Sequence, residues 1–339
     1  MSTAVAPGLL TGAIGRFVQV PRDVARYETD VRTAASALRT APEDIAALAA
    51  AGLSHVDDPV RGPLFDYDDI MNTGMFSGTG QTVPELGLRF LMRFAASPKE
   101  SWYSPKDWLV GVAPAARLDG IDDGDTPTVR VRVPDLAAEG VEALPLNDSA
   151  HTPPYADEIQ DRPYHVAVRL TGAARTVRDR RVIGVWTDIV DALTAGVVTY
   201  QTVPEVLRAD HRRAWRLGMA DCIVAAKLLA EHLTTLGLNA RVRRGYLLGL
   251  FGSDHAWCEL EEDGVWKPLD PVFAFVGAKG DPARGVAKSP EFAAACFGGR
   301  FNRLLPCVGE DAAPLVYFDE DAAPYWSMVG ISAKPWRRS

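Results

Sequence analysis

Residues 218–271 constrain this chain more than any other stretch, because their hydrophobic spacing changes once, from helical to alternating. Ile223, Ala226, Leu229, Ala230, Leu233 and Leu236 recur at helical spacing, and Gly237 follows. This is the apolar face of a helix with a glycine stop. Residues 241–250, 254–261 and 265–270 then read as strands, with Glu262-Asp263-Gly264 as the hairpin turn between the last two. A helix packed on an antiparallel sheet predicts an α+β fold.

The helix opens with Cys222, and Asp221 stands at the N-cap position. A thiolate at a helix N-terminus is stabilised by the positive end of the dipole. The N–H groups of the first turn can also accept a developing oxyanion. A buried structural cysteine is the ordinary alternative for a lone thiol. The strands weigh against it. Strand alternation puts His255, Trp257 and Glu259 on one face, and Ala256, Cys258 and Leu260 on the other. Trp266, Pro268 and Asp270 share a face of the next strand. Neighbouring antiparallel strands thus set His255 beside Asp270. Histidine would activate the thiol, and aspartate would orient and stabilise the imidazolium. Cys258 faces away from His255, and Cys296 and Cys307 have no local base. All three are expected to be core.

These blocks together resemble the transglutaminase-like superfamily, whose site is similar to that of papain. They are Gly218-x-x-x-Cys222, the helix end Leu236-Gly-Leu-Asn-Ala-Arg241, Arg244-Gly-Tyr246, His255-Ala-Trp257-x-Glu259 and Gly264-Val-Trp266-x-x-Leu-Asp-Pro271. The resemblance covers about residues 181–275 and implies a Cys222, His255, Asp270 triad with an acyl-thioester on the cysteine. In transglutaminases a tryptophan upstream of the cysteine assists the oxyanion. Trp186 is the first candidate here, Trp215 lies nearer in sequence, and Gln201 is the papain-style option. Core anchoring competes with each. Trp257 and Trp266 are expected to wall the site. No calcium loop or flanking sandwich domain is recognisable, so protein cross-linking is not carried over.

The remaining chain divides into a helical arm at 1–60, a mixed α/β extension at 61–180 that covers or shapes the cleft, and the catalytic core with its C-terminal segment at 181–339. In the arm, Val24, Tyr27, Val31, Ala34 and Leu38 read as one helix and 42–53 as a second. Thr82 is read as an N-cap with Pro84 in the first turn behind it. Asp66, Asp68 and Asp69 are read as a solvated turn rather than a cation site. His151 lies in a proline-rich loop and gains no partner from the sequence. Residues 204–217 read as one arginine-rich helical stretch.

Composition excludes several classes. The chain has 339 residues and a net charge of −8. That balance opposes nucleic-acid binding, which draws on basic groups. Four cysteines with no C-x-x-C pair form neither a zinc site nor a disulfide framework, so no metal or cofactor is expected. There is no apolar run of about 18 residues and no signal-peptide pattern, which points to a cytoplasmic protein away from membranes. The expected function is a cysteine acyltransferase that forms an amide bond in small-molecule biosynthesis. Its partners would be a small-molecule or peptide acyl donor, with an acyl carrier protein thioester as one form, and an amine acceptor. A transglutaminase-like hydrolase, amidase or peptidase, is the alternative. An inactive binding scaffold comes third.

Overall fold

The computed structural model describes residues 7–114, 129–146, 159–160, 164–249, 253–309, 312–318 and 329–335. His151 therefore lies outside the described residues. Helices and sheets are mixed, as an α+β reading requires. The chain forms two compact units, one from Met1–Met92 and Ala192–Val224, the other from Arg93–Asp191 and Ala225–Ser339. Each unit is assembled from two separate stretches of the chain. The first stretch of the first unit runs on past residue 60, and its second stretch contains Cys222.

In the first unit, Leu38, Ile45, Leu48, Phe65 and Ile70 form a buried apolar cluster with Leu10 and Phe17. The helices Val31–Leu38 and Pro42–Ala50 supply half of its buried residues. The first starts later than its periodicity suggested. Asp30 caps it by accepting from the Thr33 N–H, and Tyr27–Thr29 is a strand instead. That strand pairs with Gly62–Asp66, which also pairs with His55–Asp58. Thr82 does act as a cap. Its hydroxyl and the Glu85 carboxylate exchange bonds with each other's N–H groups ahead of the helix Val83–Ala95. Residues 204–217 hold two short helices, Glu205–Ala209 and His211–Arg216, because Asp210 interrupts the run and caps the second.

The second unit contains two four-stranded sheets. One has the order Val265–Leu269, Ser253–Glu262, Ala240–Leu247, Leu304–Pro306, all antiparallel. The other is built on Lys106–Pro114 and Tyr164–Leu170, with Val141–Leu144 and Val329–Pro335 at its edges. Trp108, Val110, Val166 and Val168 share one buried cluster with Tyr246, Leu248, Leu305 and Cys307. Burying such side chains is the main stabilising term, about 1.5–3 kcal/mol each. In the first sheet Gly245 lies opposite both His255 and Pro306. A Cβ at this glycine would sit 2.2 Å from the Leu305 carbonyl oxygen. Only a residue without a side chain lets the strand Leu304–Pro306 come so close.

Among the described residues, no helix is long and apolar enough to cross a membrane. Among them, too, no group of three His, Cys, Asp or Glu side chains is placed to hold a metal ion.

Candidate active site

Of the sequence-predicted residues, Cys222 falls in the first unit and His255 and Asp270 in the second. In the first unit, Cys222 is the first residue of the helix Cys222–Thr235 and is buried. Asp221 caps that helix. Its Oδ1 accepts from the Ile223 and Val224 N–H groups, each at 2.9 Å. This refines the expectation for the first turn. Two of its N–H groups are already engaged by the cap, which leaves the Cys222 N–H as the donor that Asp221 does not take. The other carboxylate oxygen, Oδ2, accepts from Arg208 Nε at 2.6 Å, and Arg208 Nη1 donates to Glu205 at 2.6 Å.

The acids read as a solvated turn belong to this unit, and Asp68 among them is only partly exposed. Asp66 and Asp69 are both buried. Asp66 caps the helix Tyr67–Phe76 through the Asp68 N–H and takes the Arg26 N–H on its other oxygen. Asp69 accepts from the Val20 N–H at 2.9 Å. Burial, reinforced by Asp66, pushes the Asp68 carboxyl up to about 7. Burial likewise raises Asp69 to about 8. These groups fold around backbone N–H donors from distant parts of the chain, which a local sequence window cannot reveal.

In the second unit, His255 lies on the strand Ser253–Glu262 and Asp270 directly follows the strand Val265–Leu269. The pairing Glu259↔Pro268 puts both on the same face. His255 Nε2 meets Asp270 Oδ2 at 2.6 Å, with side chains only 5% and 2% exposed. Such a short contact between buried groups is a charge-assisted hydrogen bond once the ring is protonated. Asp270 Oδ1 accepts from the Phe273 N–H at 2.9 Å, so the same carboxylate caps the helix Pro271–Lys279. The Asp270 N–H donates to the Cys296 carbonyl at 3.1 Å. The Phe273 ring stacks on the imidazole with centroids 4.1 Å apart. Asp270 is thereby fixed by two backbone contacts, and the ring by one apolar face.

No protein-family model matches this chain, and no curated protein matches it. A solved structure from Cytophaga hutchinsonii, described as a "putative cysteine protease", is similar at 12% identity over 68% of this chain and 96% of that one. Its TM-score is 0.25, too low to carry an argument about fold or chemistry.

The other predicted residues have mostly structural partners. Gln201 is buried, and its amide is engaged at both ends with Val18, accepting from the N–H at 2.9 Å and donating to the carbonyl at 2.8 Å. Trp215 lies in the short helix His211–Arg216 and is partly buried. In the second unit Trp186 meets Phe297 edge-on at 5.2 Å. Trp257 is buried beside His255, with ring centroids 6.3 Å apart, and its Nε1 donates to Glu259. Trp266 lies under the Arg241 guanidinium, 3.9 Å from its centroid. Arg241 also pairs with Glu259, and Arg243 with Asp135.

The remaining thiols behave as core. Cys258, Cys296 and Cys307 are buried and unbridged. Burial pushes each thiol well above its ordinary range, and for Cys296 the Asp270 charge adds to the effect. Sequence reasoning missed Arg208 and Phe273. Phe273 had a signal, since it sits at the third position of a helix that Asp270 visibly caps. Arg208 had none, being one of several arginines in its stretch.

Proposed function

We propose that this chain is a cysteine-dependent acyltransferase in which Cys222, His255 and Asp270 act as a triad. The observation that carries the reading is the buried His255–Asp270 pair at 2.6 Å, in a chain whose Cys222 starts a capped helix. Because Nε2 faces Asp270, Nδ1 is the atom that exchanges a proton with the thiol. His255 takes that proton as Sγ attacks an acyl carbonyl, and Asp270 stabilises the imidazolium. The resulting oxyanion lies toward the Cys222 N–H. Collapse of the tetrahedral species breaks the bond to the leaving group, which receives the proton from His255. The product is an acyl-thioester on Cys222. An amine then attacks the thioester carbonyl, His255 accepts the amine proton and returns it to Sγ, and an amide leaves.

A small-molecule pathway fits this reading. The acyl donor would be an ester, amide or thioester, including one presented on a carrier protein. The transglutaminase-like motifs support the triad assignment, and the same chemistry with water as the second nucleophile gives a hydrolase. Intact-mass measurement with an acyl donor tests the nucleophile. The wild type is expected to gain the acyl mass and Cys222→Ala to remain unmodified. An adduct that persists in Cys222→Ala rejects the assignment. Supplying hydroxylamine separates transfer from hydrolysis. Hydroxamate is expected, and free acid alone across donors and amines would favour the hydrolase.

A further inference from the structure

Asp221 shapes the first turn of the cysteine helix by its bonds and by its charge. Its bonds engage the Ile223 and Val224 N–H groups. Its charge sits one residue from the thiol, where an unbalanced carboxylate would oppose a thiolate. Arg208 supplies the balance. Its side chain is 17% exposed and that of Asp221 7%, with Nε and Oδ2 2.6 Å apart. An isolated charge at such a site would be costly, whereas a paired one is held in one geometry. Nothing in the triad chemistry calls for this arginine.

We propose that Arg208 is a positioning residue for Cys222, holding Asp221 as a charge-balanced cap that leaves the Cys222 N–H available to an oxyanion and the thiol without an uncompensated anion beside it. The inference rests on Cys222 being the nucleophile. The groups around the pair are Glu205 on the helix of Arg208, which shares the guanidinium, and Asp68 on the helix Tyr67–Phe76. Asp68 feels attraction from Arg208 and repulsion from Asp221 and Asp66. Asp66 caps that same helix. Two carboxyl groups besides Asp221, Glu205 and Asp68, thus bear on this guanidinium, and removing Arg208 leaves them without its positive charge.

The test is the rate of Cys222 alkylation by iodoacetamide from pH 5 to 9 in the full chain, followed by peptide mass mapping. Arg208→Met is expected to slow alkylation at pH 7 by about tenfold and move the profile to higher pH, the size of a one-unit displacement. Adding Asp221→Asn should restore the rate, because an asparagine caps the helix without charge. Arg208→Lys should recover part of it, since it keeps the charge but loses the guanidinium fork. A merely structural arginine would not show rescue by removal of the opposing charge. A wild-type profile in Arg208→Met, or a double variant as slow as the single, overturns the proposal. Should Arg208→Met fail to fold, Asp221→Asn alone decides: alkylation at pH 7 at least as fast as wild type supports the proposal, and slower alkylation overturns it. Alkylation reports on the thiol whether or not the enzyme turns over. Failure here is therefore distinct from failure of the nucleophile assignment, which the Cys222→Ala mass measurement reads.

Discussion

Asp221 and Asp270 perform the same local task in different units and differ in what holds their second oxygen. Each caps a helix through Oδ1, Asp221 at Ile223 and Val224 and Asp270 at Phe273. Each places Oδ2 at 2.6 Å from a nitrogen, Arg208 Nε in one case and His255 Nε2 in the other. A guanidinium keeps its charge at every working pH. An imidazole gains and loses its charge near neutrality. One pair is therefore a fixed dipole that holds a helix, and the other is a pair whose charge can change during a reaction. Identical cap geometry can serve architecture or chemistry, and the partner's titration decides which.

The largest effect is expected at the His255–Asp270 pair. Asp270→Asn retains an oxygen to cap Phe273 but removes the charge that orients and stabilises His255. Turnover should fall on the order of 10³–10⁴-fold, while the melting temperature moves by only a few degrees. Rates and thermal melts measured on one preparation check both parts. If Asp270→Asn lost stability and kept turnover, the comparison would be reversed.

A smaller effect is expected at the fixed pair. Asp221→Ala removes the acceptor for two N–H groups and leaves Arg208 with only its other partners. Loss of such a cap costs about 0.5–2 kcal/mol, readable from urea denaturation. A change indistinguishable from zero would show that the helix start does not depend on its cap.

A third effect concerns pH. Asp68 and Asp69 have carboxyl groups raised by burial to about 7 and about 8. The folded state thus binds protons that the unfolded chain releases near pH 4. Their contribution to stability is fully present below about pH 4 and is lost as pH climbs through about 8. The melting temperature should decline between pH 5 and 8, and Asp69→Asn should flatten that decline. An unchanged slope in Asp69→Asn would assign the decline to other groups.

The sequence made the second unit's half of the site legible because strand alternation is a period-two rule. His255 and Asp270 share a face whichever residue begins the strand, provided the hairpin turn at Glu262-Asp263-Gly264 is right. Asp263 and Gly264 both take positive φ, 59° and 72°, which is what that turn needs. The helix of Cys222 was legible from its apolar spacing and its glycine stop. The acids at 66–69 were misread because the donors to Asp69 and Asp66, the Val20 and Arg26 N–H groups, lie 49 and 40 residues away in sequence. The arginine-rich stretch was read as one helix because Asp210 was not recognised as a second cap. The grouping of residues 1–92 with 192–224 was not legible at all. Contacts that distant leave no periodic mark on the chain.

The close approach at Gly245 has a consequence for tracing relatives of this chain. The Leu305 carbonyl occupies the space where any Cβ would stand, so position 245 is a yes-or-no marker rather than a graded preference. An aligned sequence with alanine there must have displaced the strand Leu304–Pro306 or lost it. Since Gly245 pairs with His255, that displacement would occur on the neighbour of the histidine strand. A glycine at this column, read together with the histidine, separates chains that share this sheet from those that share only its motifs.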